Sequence, residues 1–130
     1  MRHGHHVNYE KEISEIKNKI LHYDIKLSSA AFDLDMGVST GKADVRYYGR
    51  KITDLYKELD QIEITHHRHY SASEISKMEI EMANKDAKLH SMMHDEEKFG
   101  VSYKNRIAVQ QFDIDSLKAQ LDKARHFKDK

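Results

Sequence analysis

Apolar residues recur along the chain at alternating steps of four and three positions. The first stripe consists of Tyr9, Ile13, Ile16, Ile20, Tyr23, Leu27, Ala30 and Leu34, and the second of Val45, Tyr48, Ile52, Leu55, Leu59 and Ile62. This spacing places all members of a stripe on one side of an α-helix. No segment alternates apolar and polar residues as a half-buried strand does. The pattern predicts an all-α protein.

Two further stripes follow, each with polar interruptions. The third consists of Ile75, Met78, Met82, Leu89, Met92 and Phe99, with Lys85 and Glu96 as polar exceptions. The fourth consists of Tyr103, Ile107, Ile114, Leu117, Leu121 and Ala124, with Gln110 as its exception. The chain therefore contains four helical stripes, and their members are the predicted core.

Short turn signals separate the stripes. The tripeptide Gly-Val-Ser occurs at 37–39 and again at 100–102. We expect each glycine to end a helix in the left-handed conformation, each valine to fold back on the last turn, and each serine to cap the next helix. Ser71 and Glu74 form a capping box that opens the third helix. Helices are predicted over 8–36, 40–67, 72–99 and 103–127.

Four helices of matched length joined by tight turns favour an antiparallel four-helix up-down bundle with coiled-coil-like packing. We expect one domain over 1–130, with flexible ends at 1–7 and 128–130. The alternative is two helices of about 60 residues in a coiled-coil hairpin that dimerises, because the stripes can be traced through both Gly-Val-Ser turns as four-residue stutters.

Composition removes several classes of function. There are 22 basic and 22 acidic residues, so no global charge attracts nucleic acid or an anionic membrane, and neither is expected as a partner. The absence of cysteine excludes disulfides, thiolate metal sites and cysteine nucleophiles. No apolar run is long enough for a signal peptide or a membrane span. We therefore expect a cytoplasmic protein.

Histidine is unusually frequent, with ten residues in 130. His90 and His94 are four positions apart on one helix, a spacing at which two ring nitrogens can reach one zinc, nickel or copper ion. His66, His67 and His69 lie in the second turn, at the pole where an antiparallel bundle would also place both chain ends. These five are the candidate metal ligands, and the alternative interpretation is a solvated polar cap.

No catalytic motif occurs in the chain. A di-iron bundle needs two Glu-x-x-His motifs, whereas only Glu63 and His66 form one. The segment 37–43 lacks the length and the hydroxyl of a phosphate-binding loop. We therefore expect no enzymatic activity and no resident cofactor, apart from a transition metal if the histidines bind one.

Three apolar residues of the first helix lie off its stripe: Leu21, Ile25 and Phe32. Such positions need cover from a partner, so they are the candidate binding residues and they predict a homodimer. The favoured function is a protein-interaction module that acts as an adaptor, regulator or inhibitor through its helix faces. The alternatives are a histidine-rich metal-binding protein and a nucleic-acid-binding accessory protein that uses the basic end of the fourth helix.

Overall fold

The computed structural model describes residues 3–127, and its regular secondary structure consists of four helices. They are α1 (His3–Asp35), α2 (Gly41–Thr65), α3 (Ala72–Phe99) and α4 (Lys104–His126). No β-strand occurs within this part of the chain. The predicted all-α class and helical bundle are confirmed, and apart from the start of α1 each predicted boundary lies within two residues of the observed one.

The two chain ends leave one expectation open. Residues 1, 2 and 128–130 lie outside the described residues, and for 3–8 only the helical backbone is described. The expected flexibility of 1–7 and 128–130 therefore stays a prediction.

A left-handed glycine ends α1, as the sequence predicts. Gly37 has φ +87°, the Val38 N–H donates to the Asp33 carbonyl at 2.9 Å, and the Gly37 N–H donates to the Leu34 carbonyl at 3.0 Å. These two bonds form a Schellman motif, which satisfies the last carbonyls of the helix. Because α2 begins only at Gly41, the alternative of two continuous long helices is wrong.

The start of α3 also matches its prediction, whereas the Gly-Val-Ser turns differ from theirs. The Ser71 side chain accepts from the Glu74 N–H, and the Glu74 carboxylate accepts from the Ser71 N–H, so the capping box is confirmed. Gly100 ends α3 with φ +68°. Val38 and Val101, however, are exposed and do not pack on the preceding helices. At Gly37 the two Schellman hydrogen bonds complete the turn without such a contact.

The predicted serine caps of α2 and α4 are wrong. Thr40 and Tyr103 occupy the N-cap positions, and neither side chain makes a capping hydrogen bond. Ser102 Oγ accepts only a 3.4 Å bond from the Lys104 N–H. The serines fall one residue too early in the chain, because the turns extend further than the sequence pattern implies.

A side chain from α1 caps α4 instead. Asp35 Oδ1 accepts from the backbone N–H and the side-chain amide of Asn105, at 2.8 and 2.9 Å. Asp35 Oδ2 accepts from the backbone N–H and Nε of Arg106, at 3.1 and 2.8 Å. Burial alone would raise the pKa of Asp35, but the hydrogen bonds from Arg106 and Asn105 outweigh it and lower that pKa. Asp35 therefore joins the end of α1 to the start of α4.

The predicted stripes form the core in three clusters. One contains Tyr9, Ile13, Ile16, Leu55 and Leu59, the second Leu27, Ala31, Ile52 and Val109, and the third Tyr70, Ile75, Leu121 and Ala124. The first two clusters join α1 to α2 and α4, and the third joins α3 to α4. Phe99 is the stripe residue that departs most from the prediction, since it is largely exposed at the end of α3.

The helices do not pack in the order of the chain. α1 packs against α2 and α4, and α3 packs against α4. Among the described residues, the successive helices α2 and α3 do not approach each other closely, and neither do α1 and α3. The fold is therefore a bundle of two hairpins, α1–α2 and α3–α4, whose backbones meet where α1 lies against α4.

Candidate functional site

A cavity of about 230 Å³ lies between the hairpins and receives side chains from all four helices. Its walls are mostly apolar, with Leu21, Ile52, Met78 and Leu117 among them. Three carboxyl groups also line it, Asp24 from α1, Glu81 from α3 and Asp113 from α4, and we call it the acid cavity. The cavity exists because α1 and α3 both pack on α4 but not on each other.

Asp24 and Asp113 lie next to each other in the acid cavity, and within the described residues no N–H group donates a hydrogen bond to either carboxyl group. Asp113 is 9% exposed, and within the described residues its hydrogen-bond partner is Asp24. Asp24 Oδ1 is buried and has no hydrogen-bond partner. Burial, together with the hydrogen bond and the charge of Asp24, raises the pKa of Asp113 to about 8. At neutral pH Asp113 therefore carries a proton.

The neighbours of this pair modulate its charge. Lys85 and Lys88 of α3 act to lower the pKa of Asp113. Burial, followed by the charges of Asp113 and Asp24, raises the pKa of Tyr56 to about 12, so its hydroxyl stays protonated. The pair can therefore exchange a proton or accept a cation.

A second polar group, the turn cluster, consists of Glu63, Arg68, Tyr70, Glu74 and Lys123. The Tyr70 hydroxyl donates to Glu63, Arg68 donates to Glu74, and Lys123 Nζ lies 2.9 Å from Glu63 Oε1. Burial, followed by the hydrogen bond to Glu63, raises the pKa of Tyr70. Every charge in this cluster has an opposite partner, so its role is to hold the ends of α2, α3 and α4 together.

The histidines of the second turn lie at the surface next to this cluster. The rings of His66 and Tyr9 stack at 4.4 Å, and His67 adopts φ +51°. His66, His67 and His69 are all exposed. The side chains of His3, His5 and His6 are not among those described. Among the side chains that are described, no group of three or more His, Cys, Asp or Glu residues could hold a metal ion. Metal binding by the turn histidines stays a prediction.

The other histidine pair lies on an exposed surface of α3. His90 Nδ1 is 2.9 Å from the Asp86 carbonyl oxygen, one turn earlier, and His94 lies one turn later. If Nδ1 donates this bond, Nε2 of His90 is the basic nitrogen. Both side chains border a shallow pocket with Glu97 and Met93. Metal binding at this pair also stays a prediction.

The predicted binding residues on α1 form an exposed apolar surface, which we call the α1 face. Leu21 is 59% exposed, Ile25 63% and Phe32 47%. Phe32 lies beneath the Arg106 guanidinium, whose carbon is 4.9 Å from the ring centroid. Leu21 also borders the acid cavity, so the two features are continuous. Binding of a partner through the α1 face stays a prediction.

Two residues of the basic end of α4, which motivates the nucleic-acid alternative, are engaged within the chain, whereas Lys128 and Lys130 lie outside the described residues. Lys123 pairs with Asp60 and Glu63, and Arg125 Nη2 lies 2.8 Å from Glu79 Oε2. These carboxylates offset the positive charge that phosphate contacts would need.

Asp24 and Asp113 are not among the candidate site residues predicted from the sequence, although α4 carries a sequence signal for a polar core site. A second row at helical spacing contains Gln110, Asp113, Leu117, Gln120 and Ala124, and all five are buried. Polar residues that share a helical row with leucine and alanine indicate a polar core site. Asp24 has no equivalent signal, because it lies between the buried stripe residue Leu27 and the exposed residues Leu21 and Ile25, at the edge of the α1 stripe.

Comparison with protein-family models, with curated proteins and with solved structures found no match for this chain. Over the described residues, no helix combines the length and apolar character needed to cross a membrane. The chemistry of the molecule is therefore inferred from its own geometry.

Proposed function

We propose that this chain is a non-enzymatic helical interaction module of the cytoplasm that binds proteins, including a second copy of itself, through the α1 face. The observation that carries the proposal is the exposure of Leu21, Ile25 and Phe32 on one side of one helix. Apolar surface of this kind gains free energy when a partner removes it from water.

The solvent-accessible area of the chain is larger than expected for its mass, which supports the binding of a partner. The chain exposes 8782 Å², whereas a compact protein of its mass exposes roughly 7,100 Å². The difference is about 1,600 Å², and a standard protein–protein interface buries about 800 Å² on each partner. The chain therefore exposes more extra surface than one such interface would cover on it.

We also infer that neighbouring helices run antiparallel in a coiled-coil-like manner. Contacts at both ends support this inference, since Tyr9 near the start of α1 stacks on His66 after α2, and Asp35 at the end of α1 caps α4. The distance between spin labels at positions 12 and 64 should be short, and between 12 and 42 roughly 35 Å. A short distance in the second pair would contradict the arrangement.

The function itself is tested by sedimentation velocity over a range of protein concentrations. Wild-type protein should form a dimer, and Ile25→Glu should abolish it. Ile80→Glu is the matched control, because Ile80 on α3 is 60% exposed but lies away from the α1 face. A strictly monomeric wild type, or equal dissociation of both variants, would overturn the proposed self-association.

A further inference from the structure

Asp113 in the acid cavity lacks the partners that stabilise two other buried carboxylates of this protein. The Asp35 side chain is fully buried and accepts four hydrogen bonds from Asn105 and Arg106. Buried Glu63 accepts a hydrogen bond from the Tyr70 hydroxyl and pairs with Lys123. Asp113 is also nine-tenths buried, yet within the described residues no N–H or cationic group donates to it. A buried carboxyl group without a donor is costly to ionise. Neither carboxyl group of the pair therefore has an N–H or cationic partner of the kind that Asp35 and Glu63 have.

We propose that the acid cavity is a binding site for a small organic ammonium ion, with the cationic head between Asp24 and Asp113 and an apolar body against Leu21, Ile52 and Leu117. The cavity wall is mainly apolar by area, and Asp24 and Asp113 are among its charged side chains. A primary ammonium group supplies three N–H donors and one positive charge, which is what the pair lacks.

The volume sets the size of the ligand. The cavity holds about 230 Å³, and an apolar cavity of about 150 Å³ takes up benzene, which has six non-hydrogen atoms. By proportion, the acid cavity fits roughly nine such atoms. An ammonium group on a phenyl or short alkyl body has this size.

A metal ion fits this site less well than an organic cation. Calcium and magnesium require about six or more oxygen ligands, whereas the cavity offers three carboxyl groups, those of Asp24, Glu81 and Asp113, within a largely apolar wall. Groups of three potential metal ligands are also absent from the described side chains.

Other charged groups border the cavity and set the pH dependence of binding. They are Lys17 from α1, the Tyr56 hydroxyl from α2, and Glu81 and Lys85 from α3, with Lys88 further along α3. Among the described residues, neither Lys17 nor Lys85 forms an ion pair with Asp24 or Asp113. An incoming ammonium ion would displace the proton on Asp113, so its affinity should rise with pH.

The test is a titration followed by amide NMR shifts, with phenethylammonium chloride as the probe and 2-phenylethanol as its uncharged analogue. At pH 8.5 the ammonium probe should shift amides around Asp24 and Asp113 and bind at least about tenfold more tightly than the alcohol. Its affinity should fall about 25-fold between pH 8.5 and 6.5, because a proton on Asp113, whose pKa is about 8, then competes.

Asp113→Asn should remove the preference for the ammonium probe over the alcohol, while Asp115→Asn, an exposed neighbour on α4, should retain it. Asparagine has nearly the same shape as aspartate and removes a costly buried charge, so the variant should remain folded. Absence of binding, equal binding of the two probes, or undiminished ammonium binding by Asp113→Asn would overturn the proposal. None of these outcomes depends on the dimer, so they are distinguishable from failure of the α1 face.

Discussion

Single aspartates show how the same residue type takes opposite roles in one small bundle. Asp35 directly follows the stripe residue Leu34, and Asp113 directly precedes the stripe residue Ile114. The sequence therefore does not distinguish the two aspartates. In the structure Asp35 meets four donors and its pKa is lowered, whereas Asp113 meets another acid and its pKa is raised. The difference comes from residues on other helices, which is why it could not be read from local spacing.

Replacing Asp113 by asparagine should change how stability depends on pH. The pKa of Asp113 is about 8 in the folded protein and about 3.9 in an unfolded chain. The folded state therefore binds the proton more tightly, and the wild type should lose stability as pH rises from about 4 to 8. The loss should be on the order of 4 kcal/mol, and Asp113→Asn should remove most of it.

Urea unfolding at pH 5 and pH 8, at fixed protein concentration, measures this change. Asp113→Asn should be the more stable protein at pH 8 and close to the wild type near pH 4. Asp115→Asn, which removes an exposed carboxylate on the same helix, should follow the wild-type profile. A wild-type stability that increases between pH 5 and 8 would show that the pair is ionised in the folded state.

At the scale of the helices, predictions succeeded where the signal is local. The left-handed glycines and the capping box at Ser71 depend on residues within one turn of each other, so the sequence contains all of the information. The cap of α4 could not be predicted in this way, because Asp35 and Asn105 are separated by 70 positions. The apolar stripes succeeded for the same reason as the caps, since burial follows directly from helical spacing.

Two glycine substitutions should have opposite effects on helix stability. Gly37→Ala should destabilise the protein by about 1 kcal/mol, because an alanine at φ +87° is strained. Gly49→Ala should stabilise it by about 0.5–1 kcal/mol, since Gly49 lies inside α2 and an added Cβ would meet no atom within 4 Å. Thermal or urea unfolding of both variants under one condition provides the comparison, and effects of the same sign would contradict this account of the α1 terminus.

At the scale of the whole molecule, the sequence predicted the class of fold but not which helices touch. Matched helix lengths and short turns favour a bundle, yet they do not show that α2 and α3 remain apart while α1 meets α4. The packing order depends on contacts between distant residues, including Asp35 with Arg106 and Leu27 with Val109. The acid cavity results from that packing order, so the periodic apolar pattern could not predict it either.

Removing Asp35 should therefore loosen the connection between the hairpins. Asp35→Ala leaves Asn105 and Arg106 without their acceptor, and it should cost about 3 kcal/mol. Because the folded pKa of Asp35 is lowered, its contribution is present above about pH 4 and is lost as the pH falls further.

The matched control is Asp33→Ala, which removes the same charge two residues earlier on α1 without removing the cap. Hydrogen exchange at the start of α4 should increase in Asp35→Ala and stay unchanged in the control. Equal destabilisation by both substitutions would indicate a general effect of charge rather than a specific joint.

The joint between α1 and α4 also affects the chain while it is being synthesised. The α1–α2 hairpin leaves the ribosome complete, but the surface that α4 will cover stays open until Asn105 and Arg106 have been added. In a polysome, the α4 of a neighbouring nascent chain presents the same backbone N–H groups to the same Asp35 carboxylate. Exchange of α3–α4 hairpins between chains, with 66–71 as the hinge, would satisfy every contact of the monomer, so interlocked dimers are the natural misassembly of this fold.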